Sequence, residues 1–208
     1  MKRGKELFAV LASLALVGTV SAEEQGKERS DCISDAEWNA AMQLSWVDFD
    51  QNPEKGWRLV ADKDGCQAIA ADMIAQYRRW MKARDSGLGF HQGQMHAVAG
   101  ETDLAITEFK AQLEQNRPKA SRLYIEATIA FLEQDLTALE TAYEALLELP
   151  KPAGFDDGVA KFKQQYPDFD PPRWPTNVDV FEGFLACFNK PYAEAYQVDC
   201  RKAYQSKD

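Results

Sequence analysis

The two histidines of the chain, His91 and His96, lie on either side of Gly93 in the stretch FHQGQMHAVAG. Imidazole is the commonest side chain in acid–base catalysis and in zinc sites. The two are five residues apart, whereas side chains on one helical face are three or four apart. They therefore form a poor pair of metal ligands, and we expect neither a metal site nor a cofactor.

The four cysteines, Cys32, Cys66, Cys187 and Cys200, have no short Cys-x-x-Cys spacing that would favour zinc. Cys66 follows a glycine and could open a helix, which would activate a thiol, but the flanking sequence of a cysteine protease is absent. An even number of cysteines in an exported chain favours two disulfides. Three connectivities are open, and the pairing of neighbours, Cys32–Cys66 and Cys187–Cys200, is the one that we expect.

Hydrolase and nucleotide-binding motifs are missing from the sequence. There is no Gly-x-Ser-x-Gly elbow, no His-Glu-x-x-His helix and no Walker loop. We therefore expect no enzymatic activity.

The first 22 residues have the features of a secretory signal peptide. Three basic residues precede an apolar run of 14 residues, and Val-Ser-Ala ends the segment at Ala22. A membrane anchor is the alternative, but it would need about 20 apolar residues. We expect cleavage after Ala22, release into the periplasm or medium, and no stable membrane insertion afterwards.

The charge of the chain argues against nucleic-acid binding. The whole chain carries a net charge of −9, and the signal segment carries +2, so the mature chain carries −11. Such a surface repels phosphate backbones and anionic lipids.

The patterning predicts an all-α fold. Ser34 and Glu37 form a helix-capping signature, and Asn52-Pro53 predicts a second helix start. Apolar residues then recur at helical spacing, and no stretch alternates convincingly with period two. A proline-rich stretch, 167–175, predicts an extended connection before two final helices.

A repeat of 34 residues runs through the middle of the chain and aligns Ala105 with Leu139, Phe109 with Tyr143, and Leu113 with Leu147. This is the period of the tetratricopeptide repeat (TPR). The 90–118 stretch resembles that family through Gly93, Gly100, Ala105, Phe109 and, one position late, Pro118. Gly89 and Gln92 depart from it, since they stand where the family has tryptophan and leucine.

The resemblance implies three stacked hairpins, at about 53–83, 86–116 and 119–149. The mature chain then divides into an N-terminal helix with these hairpins (23–152) and a C-terminal helical cap (153–208). In this register His96 packs inside its hairpin, and His91 is expected to be exposed.

In the TPR family the first helices of the repeats line a concave groove that holds a peptide or a partner helix. The resemblance places five candidates on or beside such a groove: Phe90, Gln94, Arg122, Tyr124 and Thr128. The expected function is an exported interaction module or accessory subunit for an unidentified protein or peptide. The alternative is an enzyme or small-ligand carrier with a site between the repeats and the cap. A tyrosine stripe in the cap, Tyr192, Tyr196 and Tyr204, is either core or recognition surface.

Overall fold

The computed structural model describes residues 27–81 and 87–205, and these contain α-helices, one π-helical turn and no strand. The predicted all-α class is confirmed. The predicted signal peptide, 1–22, lies outside the described residues. None of the described helices is long and apolar enough to cross a membrane. The helices are α1 (Arg29–Cys32), α2 (Asp35–Ala41), the π-helical turn (Val47–Gln51), α3 (Gly56–Ala61), α4 (Gln67–Met81), α5 (Leu88–Val98), α6 (Thr102–Leu113), α7 (Lys119–Leu132), α8 (Leu136–Leu147), α9 (Phe155–Gln165), α10 (Val178–Ala186), α11 (Tyr192–Ala195) and α12 (Val198–Gln205).

Of the two helix starts predicted near the N-terminus, one is confirmed and one is wrong. The Ser34 hydroxyl accepts the Glu37 N–H at 3.3 Å, and the Glu37 carboxylate accepts the Ser34 N–H at 3.0 Å. This reciprocal cap satisfies two backbone donors at the start of α2. The start at Asn52-Pro53 is wrong, because α3 begins only at Gly56. The Asn52 side chain instead accepts the Glu54 N–H at 2.9 Å and so fixes a turn.

Gly93 and Gly100 have the two roles expected of them in the α5–α6 hairpin. A Cβ on Gly93 would lie 2.9 Å from Cε1 of Phe109, so the absence of a side chain lets α6 approach α5. Gly100 has φ +78° in the turn between the two helices, a conformation that favours glycine. Ala105, at the start of α6, is fully buried.

Helices that follow one another along the chain also lie side by side. The pairs α3–α4, α5–α6 and α7–α8 are hairpins, while α4 packs on α5 and α6 packs on α7. The C-terminal helices extend this packing: α10 packs on α7, α8 and α12, and α11 packs on α5. The last helices therefore cover part of the surface that α5 and α7 would otherwise expose.

The cysteines are paired as neighbours, in agreement with the expected connectivity. Cys32 bonds Cys66 with a Cα–Cα distance of 5.7 Å, and Cys187 bonds Cys200 with a distance of 5.8 Å. The first bond ties α1 to the start of α4, within an N-terminal core that includes Phe49, Trp57 and Tyr77. The second ties the end of α10 to α12. Each end of the fold thus has its own crosslink.

Candidate functional site

An open cleft of about 510 Å³ lies over α5, between the segment around α3 and the C-terminal helix α11. Its volume is within the range of small-molecule sites. It combines side chains from three separate parts of the chain, which only the tertiary fold brings together. The principal polar and aromatic lining residues are Trp57, Arg58, His91, Gln94, Tyr192 and Tyr196.

One wall of the cleft is built on a buried carboxylate, Asp50. Its Oδ1 lies 2.7 Å from Nδ1 of His91 and accepts the indole N–H of Trp57 at 3.1 Å. Its Oδ2 accepts from the side-chain amide of Gln51. The Asp50 side chain is 1% exposed, whereas that of His91 is 24% exposed and reaches the cleft. The expectation that His91 is simply exposed is therefore wrong, since the ring is held by a carboxylate 41 residues away.

The local backbone explains how this wall is assembled. Asp50 lies in the π-helical turn, and Trp57 and Arg58 open α3. Gly56 joins them with φ +59°, and a Cβ there would overlap the backbone of Phe49. Only glycine allows the chain to fold back so closely. Arg58 then donates from Nε to the Asp50 carbonyl at 2.7 Å and lies 4.3 Å from the centre of the Trp57 ring.

The pKa of Asp50 is lowered although the group is buried. Burial, the largest single influence, raises this pKa because it disfavours the charged form. The hydrogen bond and charge of His91, with the hydrogen bonds of Trp57 and Gln51, together outweigh it. Asp50 is thus an ionised acceptor at neutral pH, so Nδ1 of His91 carries a proton. The second ring nitrogen, Nε2, remains for a ligand.

The opposite wall is formed by tyrosines of the cap. Tyr192 is 4% exposed, and its ring stacks on Tyr196 with 5.5 Å between centroids. The hydroxyl of Tyr196 lies 3.3 Å from the hydroxyl of Tyr124. The side-chain amide nitrogen of Gln94 lies 3.5 Å from the same Tyr124 hydroxyl. Burial, reinforced by Tyr192 and Tyr196, holds the pKa of Tyr124 well above its usual range. The Tyr124 hydroxyl therefore stays protonated and acts as a hydrogen-bond group.

The cap also holds the third tyrosine of the stripe. Tyr204 contacts Tyr143 edge to face at 6.0 Å. Arg201 lies over the Tyr196 ring at 4.6 Å and donates to the Tyr196 carbonyl, which fixes that ring at the cleft. The stripe is thus mostly packed, with Tyr192 and Tyr196 reaching the cleft.

The structure separates the five candidates that the resemblance groups together. Gln94 lines the cleft. Phe90 is half-buried between the rings of Phe109 and Tyr124, at 5.2 and 5.0 Å. Thr128 is fully buried and donates to the Tyr124 carbonyl at 2.8 Å, so it is not part of an exposed surface. Arg122 remains half-exposed on α7, where it donates to the Leu113 carbonyl.

The sequence offered signals for only part of this site. The glycines and Gln94 follow from the repeat, and the tyrosine stripe follows from its helical spacing. Asp50 and Arg58 were missed, because no motif links the stretch VDFDQNPEKGWR to His91. His96 is packed as expected: it is buried, with Nδ1 2.7 Å from the Glu101 carboxylate.

Among the described residues, the cleft has no group of side chains that could bind a metal ion, and no serine, threonine or cysteine beside its histidine. Within residues 27–81 and 87–205, no group of three or more His, Cys, Asp or Glu side chains is placed to hold a metal ion. The lining includes no serine, threonine or cysteine. No protein-family model, curated protein or solved structure matches this chain. Chemically, the cleft offers an oriented imidazole, a guanidinium, an amide and phenol hydroxyls.

Proposed function

We propose that this chain is an exported binding protein that holds a small ligand in the cleft over α5. The observation that carries the proposal is the cleft itself, where His91, Arg58 and Tyr196 are each held by hydrogen bonds or stacking to groups behind them. Side chains fixed in advance lose little conformational entropy when a ligand binds, which is a property of binding sites. This is the location of the small-ligand alternative considered from the sequence.

The scaffold that we propose for this site is TPR-like. Support comes from the 34-residue period, from consecutive hairpins in contact, and from the close approach of Gly93 to Phe109. In such a scaffold α5 and α7 would be first helices of their repeats. The C-terminal helix α10 packs on α7, while the face of α5 that carries His91, Gln94 and Val98 is open at the cleft, and we place the ligand there.

Export is the second part of the proposal. The basic and apolar start of the chain, with small residues ending at Ala22, supports secretion. The two disulfides support it independently, because such bonds persist in oxidising compartments. The ligand would then be a compound of the periplasm or the surrounding medium.

The test is to fill the cleft. Val98 is a half-buried lining residue, and Val98→Trp should occupy the space that a ligand needs. Leu104→Trp is the matched control, since Leu104 is 51% exposed on α6 and does not line the cleft. A fragment library of mixed charge, followed by NMR, should shift the signals of Trp57, His91 and Gln94 in the parent and in the control. No such shifts should occur in Val98→Trp, and equal binding by both variants would place the site elsewhere.

An enzyme is the second candidate, and the Asp50–His91 pair favours it. A histidine oriented by a buried carboxylate is the arrangement that makes imidazole a general base. Because no serine, threonine or cysteine is among the described residues that line the cleft, we expect such a base to activate water. Hydrolysis of 4-nitrophenyl acetate that is lost in His91→Gln and retained in Val98→Trp would indicate only a reactive surface imidazole. Loss in both variants would support catalysis in the cleft.

A partner protein is also compatible with this fold. Of the five groove candidates, Thr128 is fully buried, and the other four are partly buried, with Gln94 at the cleft. A partner that reached Gln94 would have to enter through the same cleft. Val98→Trp therefore tests this form of the proposal as well.

A further inference from the structure

Tyr192 places a buried hydroxyl at the cleft, and its O–H proton has no acceptor. The residue is 4% exposed and lines the cleft, and its Oη finds no partner of hydrogen-bond geometry. The Gln94 amide is close enough to donate to the hydroxyl oxygen, which lowers the pKa of Tyr192, but burial, the largest influence, and the neighbouring Tyr196 raise it overall, so the O–H keeps its proton. A buried donor without an acceptor is destabilising. An acceptor supplied by a ligand would remove that destabilisation.

Arg58 contributes further donors to the same cleft. Its Nε is engaged by the Asp50 carbonyl, and its guanidinium is stacked on Trp57, so its direction is set. Among the described residues, no ion pair or hydrogen bond engages its two terminal nitrogens. A guanidinium held in this way presents a planar fork of N–H groups, which matches a carboxylate better than any neutral group.

We infer that the ligand of the cleft carries a carboxylate, which is bound by Arg58 and by the hydroxyl of Tyr192. This inference rests on the proposed ligand-binding function and names the chemical class of the ligand. The terminal N–H groups of Arg58 and the O–H of Tyr192 lack an acceptor, and a carboxylate supplies two oxygens for them. Gln94 and Nε2 of His91 remain to recognise the rest of the molecule.

The one carboxylate among the lining residues, Asp62, sits at the exposed rim. Asp50 is not part of the lining, because its oxygens are enclosed by His91, Trp57 and Gln51. The interior of the cleft is therefore donor-rich, although the chain as a whole is acidic.

The test compares acids with their amides. Benzoate and N-acetylphenylalanine are titrated against benzamide and N-acetylphenylalanine amide by NMR, with inorganic phosphate as a separate oxyanion. A hexapeptide with a free carboxyl end and its amidated form distinguish a peptide end from a small acid. We expect each acid to bind at least tenfold more tightly than its amide, with shifts at Arg58 Nε–H and at the Trp57 indole.

Three variants identify the groups. Arg58→Met should reduce acid affinity at least tenfold, Arg58→Lys less, and Tyr192→Phe several-fold, with no change for the amides. Arg79→Met and Tyr166→Phe are matched controls outside the cleft and should bind like the parent. Circular dichroism and thermal melts confirm that each variant folds.

The outcomes separate the two proposals. Equal binding of acids and amides in the cleft would overturn the carboxylate assignment and leave ligand binding intact. Tighter binding of phosphate than of any acid would do the same. If no probe and no library fragment shifts a cleft signal, ligand binding itself is overturned. If only the hexapeptide acid binds, the ligand of the cleft is the carboxyl end of a peptide and not a small acid.

Discussion

His91 and His96 both lie on α5, and each contacts a carboxylate through Nδ1. The two pairs differ in which partner, the ring or the carboxylate, is the more exposed. In each pair an imidazole Nδ1 lies 2.7 Å from a carboxylate oxygen. At His91 the carboxylate is 1% exposed and the ring 24%, whereas at His96 the ring is 9% exposed and the carboxylate 39%. The first pair therefore presents its imidazole to a cleft, and the second presents its carboxylate to solvent.

The difference follows from where each carboxylate comes from. Glu101 lies five residues after His96, in the turn that ends α5, so the pair is local and remains near water. Asp50 comes from the π-helical turn, which the N-terminal core holds against α5. The local pair lies in the turn that ends α5, whereas the imidazole at the cleft contacts a carboxylate that the tertiary fold brings to it.

The largest expected effect is on stability, and it should separate the two pairs. Asp50→Asn keeps the shape but removes the charge and replaces one of the two acceptor oxygens by NH₂, so either Gln51 or the pair of His91 and Trp57 loses its acceptor. Breaking a buried set of charged hydrogen bonds should cost about 2–4 kcal/mol. Glu101→Gln alters an exposed group and should cost at most about 1 kcal/mol.

Urea denaturation with both disulfides intact measures this difference. The midpoint of Asp50→Asn should fall clearly below that of Glu101→Gln. Equal midpoints would mean that the Asp50–His91 pair contributes no more to the stability of the fold than the Glu101–His96 pair.

The second effect concerns Gly93, which lies between the two histidines. Gly93→Leu would place a side chain against Phe109 and push α5 from α6, so we expect a loss of about 1–3 kcal/mol through overpacking. Gly158→Leu is the control, because a Cβ at this position in α9 meets nothing within 4 Å. Thermal melts decide, and an unchanged midpoint for Gly93→Leu would remove the packing explanation of that glycine.

The sequence predicts local features of this molecule better than the site. The helical class, the Ser34 cap and the Gly93 contact depend on residues close in sequence or on a repeat, and the disulfides on a choice among three pairings of four cysteines. All of these agree with the structure. The helix start at Asn52-Pro53 was wrong, because the close approach of Gly56 to Phe49 overrides a capping signal.

The cleft could not be predicted because its parts are far apart in the chain. Asp50, His91 and Tyr192 belong to three separate elements. Periodicity assigns a residue to a face of its own helix, but it does not say which distant segment covers that face. The groove candidates show the same limit: the repeat register selects Thr128 as a groove residue, but its side chain is fully buried in the fold.

A third effect is the acid dependence of the buried pair. Burial raises the pKa of Asp50, but the bonds from His91, Trp57 and Gln51 leave it lowered overall. A carboxyl whose folded pKa is depressed stabilises the protein above its ordinary pKa of about 3.9, and this stabilisation is lost as the pH falls through the folded value. Urea midpoints between pH 6 and pH 2 should therefore fall more steeply below about pH 4 in the parent than in Asp50→Asn. Parallel curves would show that Asp50 has the same pKa in the folded and unfolded chains.

The smallest effect is a difference in reactivity between the two rings. Diethyl pyrocarbonate modifies accessible imidazole nitrogen, and both rings use Nδ1 for a carboxylate, so Nε2 is the site in each case. His91 should react faster, because its side chain is 24% exposed at the cleft and that of His96 is 9% exposed. Peptide mapping by mass spectrometry follows each histidine separately, since the chain has only these two. Val98→Trp should slow modification of His91 and leave the rate at His96 unchanged, because only the first ring lines the cleft. Equal rates in the parent, or equal slowing in the variant, would show that the two pairs do not differ in access.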